Sequence, residues 1–159
     1  MSRICHVISG LGDGGAEASL YRLCLNDTRG QHSVISFSAG GKYSSMLQEA
    51  DVEVFILNSS TGFFKFPKMF LLLKLIKELQ PDVVQTWMYH ADLFGGIAAR
   101  LAGIKNIVWG VHSTRLKLRD TKLATIFITY ALVVLSYWLP SRIILCATAA
   151  KKSHIAMGY

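Results

Sequence analysis

The chain has 159 residues, room for one domain of ordinary size and not for two. A hydrophobic fraction of 52% against 17% charged residues leaves a core to bury and excludes a disordered chain, while 13 glycines against 3 prolines exclude collagen-like and proline-rich sequences. The formal net charge is +7 and lopsided, with eight Lys/Arg against seven Asp/Glu in residues 1–79 and nine against three in residues 80–159. The basic half suits phosphate, nucleotide, nucleic acid or anionic lipid as a neighbour, or it is simply a solvated face.

Taken in chain order, Arg3–Ile8 reads as a buried strand that runs into the loop Ser9-Gly10-Leu11-Gly12-Asp13-Gly14-Gly15. Ala16–Leu25 has helical spacing, with Leu20, Leu23 and Cys24 on one face. His32–Phe37 is a second strand closed by Ser38-Ala39-Gly40-Gly41, Ser44–Asp51 a short helix, and Val52–Leu57 a third strand. Pro67 suits the first turn of a helix whose apolar stripe is Met69, Leu72, Leu73, Ile76 and Leu79, with Lys68, Lys74 and Lys77 on much of the rest. Val83–Thr86 is a fourth strand, Ala91–Ala102 a helix of small residues, and Asn106–Gly110 a fifth strand. A basic loop, Val111–Asp120, leads to a long apolar helix over Thr121–Leu139 that Pro140 stops. Arg142–Cys146 is a sixth strand and Thr148–Met157 a last helix. Near-continuous apolar strands alternating with helices predict an α/β fold: a Rossmann-like parallel sheet with helices on both faces.

Gly10-x-Gly12-x-x-Gly15 matches the dinucleotide fingerprint in its proper place between strand and helix. Glycines let backbone amides approach a phosphate, and the helix N-terminus adds positive potential. A bound dinucleotide also needs an acid at the end of the second strand, and Ser36-Phe37-Ser38 supplies none. His90 and His112 follow the fourth and fifth strands, so both lie at the sheet edge that carries the glycine loop and where open α/β sheets bind ligands. His6 and His32 fall in strands and are expected in the core or at its edge. His154 is expected to be solvated on the last helix. Cys5, Cys24 and Cys146 lack metal spacing, and Cys5 and Cys146 fall in apolar runs expected to be buried, which points to a reducing compartment without disulfides or a metal.

The residues His6-Val7-Ile8-Ser9-Gly10-Leu11-Gly12-Asp13-Gly14-Gly15-Ala16-Glu17 resemble the opening of family 4 glycosyltransferases of the GT-B fold. Pro81-Asp82-Val83-Val84-Gln85-Thr86-Trp87-Met88-Tyr89-His90-Ala91-Asp92-Leu93-Phe94-Gly95, Gly110-Val111-His112-Ser113 and the segment from Ala147 to Tyr159 resemble three further stretches of that family, in the same order. The resemblance implies transfer of a sugar, with retention, from a nucleotide-diphosphate sugar to a glycan or lipid-linked acceptor, with no metal and no other cofactor. Gly14 and Gly15 then match the loop facing the donor diphosphate, His112 the residue that positions the donor sugar, and His90 the acceptor side, where Asp13 and Glu17 also lie. Glu17 suits a cap at the positive end of the first helix better than an acceptor contact. Gln85 and Ala147-Thr148 stand where the family often has His and Ser-Glu. The family's second domain, which binds the nucleotide and carries a Glu-x7-Glu motif, has no counterpart. The expectation is therefore a single acceptor-side domain over residues 1–159, with little or no transfer activity by itself. A dinucleotide-binding module and a non-catalytic membrane- or partner-binding derivative are the alternatives.

The expected location is cytoplasmic, with contact to the inner face of a membrane through the basic run Arg115, Lys117, Arg119 and Lys122. Leu123–Leu139 has no charge, but its seventeen residues sit at the bottom of the spanning range of roughly 17–25 and include Thr125, Thr129, Tyr130, Ser136, Tyr137 and Trp138. A helix packed on the sheet, or lying partly in a membrane surface, fits better than a span. No nucleic-acid motif accompanies the basic half.

Overall fold

The computed structural model describes residues 1–58, 66–111 and 123–158. Twelve elements alternate: β1 (Ser2–Ile8), α1 (Gly15–Asn26), β2 (Gly30–Ser36), α2 (Lys42–Glu49), β3 (Glu53–Ile56), α3 (Phe66–Leu79), β4 (Val83–Trp87), α4 (Tyr89–Leu101), β5 (Ile107–Val111), α5 (Leu123–Leu135), β6 (Arg142–Leu145) and α6 (Thr148–Met157). The six strands form one parallel sheet in the order β3-β2-β1-β4-β5-β6. The chain reverses its direction of travel between β1 and β4, and that switch point is where such sheets open a crevice at the carboxyl ends of their strands.

Strand alternation divides the core. On one face Ile8, Val34 and Trp87 pack with Ala16, Leu20 and Cys24 of α1 and Leu47 of α2. On the other, Cys5, Val7, Ile35, Val84 and Trp109 pack with Leu72 and Ile76 of α3, Ala91, Ala98 and Ala99 of α4 and Leu132 of α5. Of the stripe expected on α3, Leu72 and Ile76 meet the sheet with Met69 and Leu79 packed beside them, whereas Leu73 stands outside this cluster and Leu75 packs against it. Helix α4 lies closest to it: a Cβ added at Gly95 would come within 2.9 Å of Val7 Cγ1 and 3.0 Å of Thr86 Cγ2.

Four expectations need correction. Helix α4 starts at Tyr89 rather than Ala91, so His90 stands in a first helical turn and not in a loop. Helix α5 ends at Leu135, and Ser136–Leu139 turns back, with the Ser136 hydroxyl donating to Val133 O at 2.7 Å. Cys146 lies beyond β6 and is exposed, whereas Cys5 and Cys24 are buried. His154 is buried, not solvated. Among the described residues no helix is long and apolar enough to cross a membrane.

Candidate functional site at the carboxyl edge of the sheet

Ile8 and Trp87 are register partners on β1 and β4, so the glycine loop and the segment Met88–His90 leave the sheet side by side. Gly14 is the N-cap of α1 in extended conformation and makes no side-chain cap, which leaves the first-turn amides to other partners. The Glu17 carboxylate folds back against Gly14, with its negative charge at the positive end of the helix. Around Gly12 and Gly15 there is open space where a side chain would stand. Ser9 Oγ is shielded from solvent and has no hydrogen-bond partner among the described residues.

The α2 N-terminus is built onto this loop. Gly41 caps α2, again without a side-chain cap, and a Cβ there would lie 2.6 Å from Leu11 O, so only glycine allows the two turns to touch. Tyr43 N donates to Leu11 O at 3.1 Å. Lys42 Nζ reaches Asp13 Oδ1 at 3.0 Å, and this hydrogen bond with its charge raises the pKa of the exposed ammonium. Sequence reasoning placed Asp13 at the site but missed Lys42, whose only signal was a cation at the start of the helix after the second strand.

Met88 caps α4 with φ 72° and ψ 156°, a region that costs a residue with a side chain about 1–3 kcal/mol. It is held there by Met88 N donating to Gly110 O at 3.1 Å and by Asp92 N donating to Met88 O at 2.9 Å. His90, half-buried, follows in the first turn. Asp92 is fully buried below it. Thr86 Oγ1 and Asp92 Oδ1 lie 2.6 Å apart and Thr86 Oγ1 is 3.4 Å from Val108 O. Thr86 Oγ1 donates to Asp92 Oδ1, and burial raises the Asp92 carboxyl well above its usual range. Tyr89 points the other way and donates from its hydroxyl to His154 Nε2 at 2.9 Å, while His154 Nδ1–H donates to Ala150 O at 2.8 Å. Helix α6 is pinned in this way to the start of α4.

Beneath the edge, Trp87 Nε1–H donates to His6 Nδ1 at 3.2 Å, which fixes the proton of His6 on Nε2, and that proton is given to His32 Nδ1 at 2.9 Å. Burial, and then the His32 charge, lowers the His6 pKa to about 3, so the ring is neutral. His6, His32 and Cys24 place ligand atoms within 4.8 Å of one another. A metal on His6 Nε2 would force a proton onto Nδ1, against the indole N–H, and burial pushes the Cys24 thiol up to about 12. The cluster therefore fits a hydrogen-bonded core device and not a metal site.

The structure thus brings Asp13, Gly14, Gly15, Glu17 and His90 to one edge. His112, Arg115, Lys117, Arg119 and Lys122 lie outside the described residues, although β5 ends at Val111 on this same edge.

Residues 13–159 match the family model described as Glycosyltransferase Family 4. No curated protein matches the sequence significantly. Among solved structures, HepE from Anabaena in complex with UDP and glucose superposes with a TM-score of 0.80 at 18% identity, over 99% of this chain and 42% of that one. The lipopolysaccharide outer core galactosyltransferase WaaB gives 0.66 at 14% identity, over 99% and 43%. The UDP-GlcNAc 2-epimerase of Methanocaldococcus jannaschii gives 0.63 at 15% identity, over 98% and 42%. The chain spans about two-fifths of the length of these structures. At such identities the likeness is one of fold, the Rossmann-like half of a GT-B architecture.

Proposed function

The chain belongs to glycosyltransferase family 4, and from that premise we propose that it forms the acceptor-side half of a retaining transferase. The enzyme moves a sugar from a nucleotide-diphosphate donor to a polysaccharide or lipid-linked acceptor. The observation that carries this reading is the uncapped α1 N-terminus at the switch point, with open space around Gly12 and Gly15. As the donor breaks, its leaving diphosphate gains negative charge. Amides of Gly14 and Gly15, fixed in place before the reaction, stabilise that charge without reorganising. Glu17 holds this position in the free protein and has to swing aside for the diphosphate. His112 positions the donor sugar and His90 faces the acceptor with Asp13. No metal or other cofactor takes part. HepE was crystallised with UDP and with UDP-glucose, which supports a uridine-diphosphate sugar as the first donor to try. The end of β2 offers Ser36 and Ser38 bonded to each other and no carboxylate, which disfavours a dinucleotide. A lipid-linked acceptor places the protein at the cytoplasmic face of a membrane.

The test combines this chain, alone or joined to a nucleotide-binding half, with radiolabelled UDP-sugars and a mixed glycan and lipid extract. Transfer that requires the second half and falls at least about a hundredfold in His112→Ala supports the reading. Tight NAD binding by this chain, or full transfer by His112→Ala, overturns it.

A further inference from the structure

The amino edge of the sheet, one strand length from the glycine loop, carries a hollow that the proposed transfer does not use. It opens between the C-terminal ends of α3 and α4 and the start of β1, with a volume of about 530 Å³. That falls within the roughly 300–1,000 Å³ of small-molecule sites. Its floor is apolar: Ile76 and Pro81 are buried, and Ala102 and Ile104 are half-buried. Its rim is polar and cationic, made by Arg3, Lys77 and Gln80.

The neighbouring acids are committed elsewhere. Asp82 is spent on the backbone of β1: its Oδ2 accepts from Arg3 N at 2.7 Å, while Asp82 N donates to Arg3 O at 2.8 Å. Glu78, beside Lys77 on α3, pairs with Lys74 at 3.7 Å. Among the described residues neither the Arg3 guanidinium nor the Lys77 ammonium has a hydrogen bond or an ion pair. The helix ends oppose an anion only weakly, because carbonyls of their last turns are occupied: Ile76 O by Gln80 N, Ala98 O by Ala102 N and Ala99 O by Ile104 N. Gln80 has φ 43°, the left-handed conformation just past α3 that glycine or asparagine ordinarily fills. Glutamine is strained there relative to glycine, and what it adds is an amide on the rim.

We propose that this hollow is a binding site for a phosphate monoester with a flat, uncharged ring body, the size of a nucleoside monophosphate. Such a monoester carries about 1.5–2 negative charges near pH 7. Its oxygens meet the Arg3 guanidinium as a fork and the Lys77 ammonium as a point charge. A lone carboxylate would leave one cation unmatched. The ring covers the apolar floor, and the Gln80 amide, donor and acceptor at once, meets the polar groups of the body. The site shares no residue with the glycine loop, so it and the transfer reading stand or fall separately.

The test titrates the isotope-labelled chain with adenosine 5′-monophosphate, and with adenosine as the neutral control, following backbone amide shifts by NMR. The expected result is saturation at about millimolar monophosphate or below, with shifts gathered at Arg3, Lys77, Gln80 and Ile104 and not at Gly12 and Gly15, and at least about tenfold weaker binding of adenosine. Arg3→Ala with Lys77→Ala should lower affinity at least about tenfold at an unchanged Tm, since both side chains are exposed. Gln80→Gly should raise Tm and weaken binding, whereas a residue that served the turn alone would gain stability and lose no affinity. Three results overturn the proposal: no saturable shift at the amino edge, adenosine bound as tightly as its monophosphate, or undiminished binding by either variant.

Discussion

Gly95→Ala sets two effects of similar size against each other. In the middle of α4, alanine gains about 1 kcal/mol of helix propensity over glycine. The new Cβ, however, starts 2.9 Å from Val7 Cγ1, 3.0 Å from Thr86 Cγ2 and 3.1 Å from Val7 Cβ, where ordinary contact begins at 3.4 Å. Both neighbours are β-branched and stiff at χ1, and they stand on the two central strands β1 and β4, so they cannot swing away. The helix has to lift by a few tenths of an ångström, which costs about 1–3 kcal/mol. In the middle and upper part of that range the clash wins by about 1–2 kcal/mol, or roughly 2–8 °C in Tm for a domain of this size. Gly12→Ala is the control: nothing lies within 4 Å of its new Cβ, and Tm should stay within about 2 °C. Thermal and urea unfolding of the two variants beside the parent decide the matter. A Gly95→Ala protein as stable as the parent would refute the reasoning, because α4 would then have room above the sheet.

His6 is buried neutral with its pKa lowered to about 3, so the fold binds fewer protons than the unfolded chain. Stability is held above the ordinary histidine value near 6.5 and is lost as pH falls toward 3, by a total on the order of 5 kcal/mol; urea midpoints from neutral pH down to about pH 4 should drop, and His6→Gln should flatten the slope. Asp92 behaves oppositely: its raised pKa gives stability that is complete below 3.8 and lost as pH rises through the raised value. Asp92→Asn should therefore match or exceed the parent in urea at neutral pH, and a lower midpoint would mean that a charged carboxylate has a partner. Tyr89→Phe removes the hydroxyl that donates to the buried His154 Nε2 and should cost about 1–3 kcal/mol. A double-mutant cycle with His154→Phe should show coupling, and additivity would deny the contact.

The parts of the molecule legible in its sequence are those governed by period and punctuation. The stripe through Leu72 and Ile76 faces the sheet because helical spacing leaves it no other face to bury. The glycine loop stands between β1 and α1 because Gly14 and Gly15 mark the boundary themselves. Contacts that join distant segments were not legible. Lys42 meets Asp13 across 29 residues, Trp87 meets His6 across 81, and Tyr89 meets His154 across 65. The earlier start of α4 was hidden because its cap is a strained Met88 held from β5, not a Ser, Thr, Asp or Asn that announces a helix. The end of α5 was hidden because no glycine or proline stands between Leu135 and Pro140 in a run without charge. His154 looked like a surface residue because nothing around it in sequence shows that Tyr89 closes over it.

The fold alone selects no reaction, since an epimerase and transferases share it. The chemistry follows from how the polar groups at the edge are committed. Tyr89 and Asp92 are turned inward and bonded, and burial raises the Asp92 carboxyl well above its usual range. Glu17 sits on the α1 N-terminus, and Asp13 and Lys42 neutralise each other in solvent. None of these is a base poised for proton transfer, whereas the amides around Gly14 and the exchangeable Asp13–Lys42 pair can bind an anion or a hydroxyl. This edge is therefore suited to holding charge and orienting a substrate. In the proposed transfer, the acceptor's proton then leaves to the donor's own phosphate or through His112. The two routes separate on pH: with His112 as base, kcat rises with pH through a histidine titration that His112→Gln abolishes, and with phosphate as base the variant keeps the shape of the profile at a lower rate.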